Sequence, residues 1–214
     1  MPTPSYWFNA NNPSLKHDLE NLPRVPGYCV FLDITGSTDM KQAGILHWAP
    51  RIHNCFANAT SFLSPFATLK CIGDELMYYI EESDLLKSGY SPMQIFDNLW
   101  QVANEAGPEF PEVKIGAAYC TDVYSLTFFK GHQDYYGIDI DMTARLRAAA
   151  TASRQIVINR RFHDAIRQRH TNAGNGEQFD ESFLSLKGPE SITLKGVPGE
   201  VEVFRSNAVR TGSK

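Results

Sequence analysis

The residues with the clearest chemical potential are two aspartates, each at a chain reversal beside an apolar run. Asp33 closes Tyr28-Cys-Val-Phe-Leu-Asp33-Ile-Thr-Gly-Ser-Thr38, and Asp74 follows Gly73 in Thr68-Leu-Lys70-Cys-Ile-Gly73-Asp74-Glu75-Leu-Met-Tyr-Tyr-Ile80. Tyr28 to Leu32 is continuously apolar, as in a strand covered on both faces, and Thr35 to Thr38 is turn and N-cap chemistry. A carboxylate at the end of such a strand, beside backbone amides that open toward a helix, can hold a hard cation and a phosphate together. The second stretch reads as two strands joined by a tight Gly-Asp hairpin. Gly73 takes positive φ without cost, and Asp74 at the tip meets Asp33 if the strands are neighbours. Two carboxylates sharing divalent cations are the minimum for metal-assisted phosphoryl transfer. Alone, Asp33 reads as a residue that starts a turn; the pair is what points to chemistry. An Asp-x-Asp phosphatase needs an acid at position 35, which is Thr35, and no Gly-x-x-x-x-Gly-Lys-Ser/Thr loop occurs.

The third informative run spans Lys130 to Ala150. Gly137 marks a turn and a helix follows, on which Asp141 and Arg145 are four residues apart and share a face. By default they form a surface pair worth only about 0.5 kcal/mol or less. Lys195 sits in the turn of a closing hairpin over Ser191 to Phe204, where a lysine is commonly just solvated.

These residues need a frame to position them. Met1 to Pro26, with Trp7, Phe8, several prolines and a helical piece near Leu15 to Leu22, reads as an aromatic arm packed on its own domain or on a partner protomer. Apolar residues at Ile45, Trp48, Ile52, Phe56, Ala59 and Phe62 follow a helical period, while His47 and His53 beside them are assigned no role. The hairpin Phe66 to Ile80 leads into an acidic loop over Glu81 to Ser91. Pro92 opens a further helix that Gly107-Pro108 closes. Strands are expected at Val113 to Tyr119 and Tyr124 to Phe129, then a strand at Gln155 to Ile158, a helix at Arg160 to Arg169 and a polar loop from Thr171 to Glu181. The fold class is α+β. From Tyr28 to Phe129 the order is βαββαβ, the ferredoxin-like arrangement, with extra strands and helices toward the C-terminus; helices on one face leave the other free for a ligand or partner. The division is an arm at 1–26, a catalytic domain at 27–206 and a flexible tail at 207–214.

Composition narrows the class. The 214 residues are 43% hydrophobic, enough for one large core. A net charge of −4 argues against a nucleic-acid surface. Cys29, Cys55, Cys71 and Cys120 lack zinc or disulfide spacing, and there is no apolar run of membrane-spanning length and no signal peptide. A reduced cytoplasmic compartment fits, with no nucleic acid and no membrane as partner.

Together, Phe31-Leu-Asp33-Ile-Thr-Gly-Ser-Thr, Lys70-Cys-Ile-Gly73-Asp74, Tyr136-Gly137 followed by Ala144-Arg145, and Leu194-Lys195-Gly-Val resemble, in order, the catalytic domain of the class III nucleotide cyclases, over roughly Tyr28 to Phe204. The resemblance implies that Asp33, Asp74 and the Ile34 carbonyl hold two divalent cations, Mn²⁺ or Mg²⁺. It implies that Arg145 stabilises charge on the reacting phosphorus, and that Lys195 meets the terminal phosphates. Asp141 stands where the family usually has the asparagine that positions the ribose. Lys70 and Asp134 fall where adenylate-making members read the base with the same Lys and Asp pair, which taken alone points to ATP. A Lys donor and an Asp acceptor also satisfy pyrimidines, so the pair does not decide. The short free-standing domain, the Tyr135-Tyr136 pair and Asp141 look more like the bacterial pyrimidine cyclases of Pycsar anti-phage defence. That likeness implies a pyrimidine substrate and a separate cyclic-nucleotide effector. Uracil, with two carbonyl acceptors for Lys70 and one N–H for Asp134, favours UTP as substrate and cUMP as product. The alternatives are a cytidylate or adenylate cyclase, or a decayed cyclase domain that senses nucleotide. In the family the metal pair and the base-reading, arginine and lysine residues come from facing domains, so a homodimer with composite sites is expected.

Overall fold

The computed structural model describes residues 2–63, 67–105, 109–172, 179 and 181–207. The strand expected to deliver Asp33 is β2 (Gly27–Ile34), buried at seven of its eight positions. Two helices follow, α2 (Ser37–Gln42) and α3 (Ile45–Thr60). The Gly-Asp hairpin forms as expected: β3 (Thr68–Ile72) and β4 (Glu75–Glu81) flank Gly73, whose φ of 67° is the left-handed conformation that a side chain would disfavour. The segment expected to be a loop after β4 is the short helix α4 (Glu82–Ser88), since Asp84 and Leu85 are buried beneath it. Next comes α5 (Pro92–Asn104), started by Pro92 and by a capping box between Ser91 and Gln94. Its expected closure at Gly107-Pro108 lies outside the described residues. Strand β5 (Val113–Cys120) completes the βαββαβ unit.

The seven-stranded sheet runs β3-β4-β2-β5-β8-β10-β9, and its first four strands keep the antiparallel ferredoxin-like order. The added strands are β8 (Gln155–Asn159), parallel to β5, and the hairpin β9 (Leu186–Thr193) and β10 (Glu200–Asn207). Between β8 and β9 lie α7 (Arg160–Asn172) and α8 (Glu181–Leu184), so helix occupies both ends of the expected polar loop. Residues 208–214 of the expected tail lie outside the described residues. No helix among the described residues is long and apolar enough to cross a membrane, and all four cysteines are unpaired.

Two layers of core flank the sheet. Ile52, Phe96, Leu99, Phe162 and Ile166 from α3, α5 and α7 pack on one face with Tyr28, Val30 and Leu32. The opposite face is not left free. Helix α6 (Ile138–Ala148) covers its centre, burying Ile140, Met142 and Leu146 against Cys29, Phe31, Met77 and Ala118. The reason is strand alternation: odd-numbered residues of β2 are themselves apolar as far as Phe31, so this face also needs a lid. The lid sits close. A Cβ on Gly116 would stand 2.3 Å from the Arg147 backbone nitrogen, so the bare glycine lets α6 touch β5.

The second departure concerns the arm. The strand expected at Tyr124 to Phe129 is β6 (Tyr124–Thr127), and it leaves the main sheet for a smaller one, β1-β6-β7, in which β1 (Tyr6–Trp7) runs parallel to it and β7 (Tyr135–Tyr136) antiparallel. The arm, including α1 (Leu15–Glu20), therefore packs on its own domain.

Candidate active site

Asp33 is the next-to-last residue of β2, and the register sets it opposite Glu75 on β4 and Lys114 on β5. Side chains directly opposite on neighbouring strands share a face, so Asp33 and Glu75 both point toward α6. Arg147 reaches both: its guanidinium is 3.3 Å from the Asp33 carboxylate and 2.9 Å from that of Glu75. Asp74, at the hairpin tip, is joined to the end of β2 through its carbonyl, which accepts from the Ile34 amide at 3.4 Å. Its carboxylate takes a 2.6 Å bond from Lys41 of α2. The structure therefore brings Asp33, Ile34 and Asp74 together as expected, and adds Glu75, Arg147 and Lys41.

The two aspartates titrate in opposite directions. Burial, reinforced by the negative charge of Asp74, pushes the Asp33 carboxyl above its usual value against the pull of Arg147. Burial pushes Asp74 up as well, but the bonds from Lys41 and Ser37 outweigh it and hold that carboxyl below its usual value. The negative charge of Asp74 thus acts on the Asp33 carboxyl, while Asp74 itself is governed by Lys41 and Ser37. Among the described residues no group of three or more His, Cys, Asp or Glu could hold a metal by itself. Two carboxylates and a carbonyl suit ions that fill their remaining positions with substrate phosphate oxygens, the usual arrangement for Mg²⁺.

A second cluster lies on the same face toward the sheet edge. Lys70 is opposite Met77 on β4, whose side chain is in the α6-side core. Lys70 forms an ion pair with Asp134 and lies 5.4 Å from the ring centroid of Tyr136. Asp134 is 8% exposed, and its carboxylate also accepts from the Tyr135 amide at 2.7 Å. Lys70 and Asp134, expected side by side as base-reading residues, are brought into contact within one chain. The expectation for Tyr135 is corrected. Its ring is buried, centred 4.4 Å from that of Tyr79, and its hydroxyl donates to Glu81 at 2.7 Å. Alternation along β7 turns the neighbouring Tyr136 outward instead, over Lys70.

Asp141, Arg145 and Lys195 form no such cluster. Asp141 and Arg145 are both exposed on α6, yet no ion pair joins them, and neither has an ion-pair partner among the described residues. Lys195 is exposed in the β9–β10 turn. Its neighbours Leu194 and Val197 pack into the apolar cluster that holds α6.

Glu75, Arg147 and Lys41 were missed in the sequence. A signal existed for Glu75, because a strand pair in register with Asp33 puts it directly opposite. Arg147 had none, since only the packing of α6 on Gly116 aims it at Asp33.

No protein-family profile matches the chain, and no curated protein matches it in sequence. Solved structures do match. An adenylate cyclase from Trypanosoma brucei in its monomeric state superposes with a TM-score of 0.63 at 16% identity, covering 88% of this chain and 91% of that one. The guanylate cyclase domain of RhGC from Catenaria anguillulae, in complex with GTP, gives 0.58 at 13% identity, over 87% of this chain and 98% of its own. A non-canonical dimeric guanylyl cyclase domain of the RhoGC fusion protein from Blastocladiella emersonii gives 0.56 at 10%, over 86% and 97%. The chain therefore has the fold of the class III adenylyl and guanylyl cyclase catalytic domains.

Proposed function

We propose that the protein is a nucleotide cyclase, converting UTP by preference to cUMP and pyrophosphate at sites shared between two protomers. The observation that carries the reading is how α6 divides its arginines. Arg147 turns inward onto Asp33 and Glu75, whereas Arg145, two residues and about 200° round the helix, turns to solvent with no ion-pair partner among the described residues. An exposed arginine facing away from the acidic pair of its own chain is suited to the site of a second copy. The cyclase fold, one example of which holds GTP, supports the nucleotide part of the reading.

Asp33, Asp74 and the Ile34 carbonyl would hold two divalent cations, Mn²⁺ or Mg²⁺. Such ions, when bound, activate the ribose 3′-hydroxyl and neutralise phosphate charge. The chain's own residues do the rest. Lys70 donates to a uracil carbonyl and Asp134 accepts from the ring N–H, the two groups exchanging their mutual ion pair for the base. Tyr136 supplies an aromatic surface beside them. Arg145 from the partner protomer meets charge developing on the α-phosphorus, and Lys195 meets the departing pyrophosphate. Asp141 lies beside Arg145 to position the ribose. In this reading the enzyme is cytoplasmic, and its product acts through a separate effector in anti-phage defence.

The test is direct. Purified protein with Mn²⁺ and each of the four ribonucleoside triphosphates should release pyrophosphate and cyclic monophosphate, from UTP foremost. Product from ATP alone sinks the pyrimidine assignment, and tight binding without turnover makes the domain a nucleotide sensor. Shared sites are tested by mixing Asp33→Ala with Arg145→Ala under subunit exchange. Half of randomly paired dimers are mixed and each has one intact site, so about a quarter of wild-type activity should return from two inactive parents.

A further inference from the structure

The arm is joined to Asp134 by contacts that no part of the proposed chemistry has used. Ser5 lies 129 positions away in sequence, yet its hydroxyl donates to the Asp134 carbonyl at 2.9 Å and accepts from the Asp134 amide at 2.8 Å. One hydroxyl therefore meets both backbone groups of the residue whose carboxylate pairs with Lys70, the carbonyl also accepting from the Leu126 amide at 3.2 Å. The residues on either side of Asp134 are tied to the arm as well. The Gln133 side chain donates to the Thr3 carbonyl at 2.9 Å and accepts from the Ser5 amide at 3.3 Å. The Tyr135 hydroxyl donates to Glu81, and that same buried carboxylate takes the Thr3 amide at 2.6 Å and the Thr3 hydroxyl at 2.8 Å. Ser125, also buried, donates to the Thr3 carbonyl at 2.8 Å. Of the arm's aromatics, Phe8 packs on Phe128 with ring centroids 5.4 Å apart, whereas Trp7 is 42% exposed. Ser5 thus binds the Asp134 backbone directly, while Thr3 braces its neighbours, Gln133 by a direct bond and Tyr135 through Glu81.

We propose that the arm is part of the nucleotide site, with Ser5 a positioning residue that fixes Asp134 for selection of the base. The inference rests on the reading of Lys70 and Asp134 as the base-recognition pair. A buried amide that loses its acceptor tends to rotate or draw in water, and the carboxylate it carries moves with it. Base selection then weakens while the distant phosphate chemistry continues.

The experiment measures kcat and KM for all four triphosphates on wild type, Ser5→Ala, Ser5→Thr and Lys70→Ala. For Ser5→Ala, KM for the preferred triphosphate should rise about tenfold, as loss of one hydrogen bond to a buried group implies. Its kcat should stay within about twofold, and preference among bases should shrink by the same factor as KM rises. Ser5→Thr keeps the hydroxyl and should restore both. Hydrogen exchange at the Asp134 amide reads the contact without turnover and should quicken in Ser5→Ala alone. An unchanged KM and base preference in Ser5→Ala, with Lys70→Ala impaired, overturns this inference and leaves the base-reading pair standing. A loss of kcat at constant KM also overturns it, since that marks a general disturbance. If Lys70→Ala keeps its base preference, or no triphosphate is turned over, the base-reading assignment fails and this inference with it.

Discussion

Replacing Gly116 by alanine should lift α6 off the sheet and disable the site without touching any residue that meets substrate. A Cβ there would lie 2.3 Å from the Arg147 nitrogen and 2.7 Å from the Thr143 carbonyl oxygen, both backbone atoms of α6 that cannot rotate away. Ordinary contact begins at 3.4 Å, so the helix must retreat by 3.4 less 2.3, or 1.1 Å. Overpacking of this kind costs about 1–3 kcal/mol. In a chain of this size each kcal/mol lowers Tm by about 2–4 °C, which gives a fall of about 2–12 °C. Because α6 carries Asp141, Arg145 and Arg147, a shift of about 1 Å should also slow turnover by about a hundredfold. Thermal denaturation followed by circular dichroism and a pyrophosphate-release assay read the two effects. Gly89→Ala is the control: φ is +75° but nothing lies within 4 Å. It should cost about 1–2 kcal/mol of backbone strain and leave the rate unchanged. Wild-type Tm and rate in Gly116→Ala would refute the close seating of α6 on β5.

Two further perturbations probe the electrostatics. Arg147→Met leaves Asp33 and Glu75 facing one another without their shared cation, so urea denaturation in EDTA should show a loss of about 1–3 kcal/mol; an unchanged midpoint would mean that the bridge contributes nothing. His163 lies between the rings of Phe204 and Phe183, and burial lowers its pKa against the pull of Asp164. The unfolded chain therefore takes up this proton first: the contribution is whole above about pH 6.5 and is lost as pH falls toward the folded value. His163→Gln should flatten the stability slope between about pH 5 and 7 relative to wild type, and an unaltered slope would show that the ring titrates normally.

The sequence by itself determined most elements of the βαββαβ unit, though not α4, and pointed to Asp33 and Asp74 as neighbours. Apolar continuity from Tyr28 to Leu32 and the Gly73-Asp74 turn are local signals, and the strands they specify need only pair as neighbours for Asp33 to reach Asp74. Lys70 and Asp134 were legible as a pair only through the family resemblance, since 64 positions of chain separate them. Tertiary structure decided the rest. Whether Tyr135 or Tyr136 lies beside Lys70 depends on which side of β7 is buried, and a two-residue strand carries no periodicity from which to read that. Arg145 and Arg147 are indistinguishable by type, and the seating of α6 on Gly116 is what turns one inward and the other out. The arm's attachment beneath Asp134 was equally invisible, because the serine and threonine that make it carry no pattern until β1 pairs with β6 and brings the Ser5 hydroxyl to the Asp134 backbone and the Thr3 hydroxyl to Glu81.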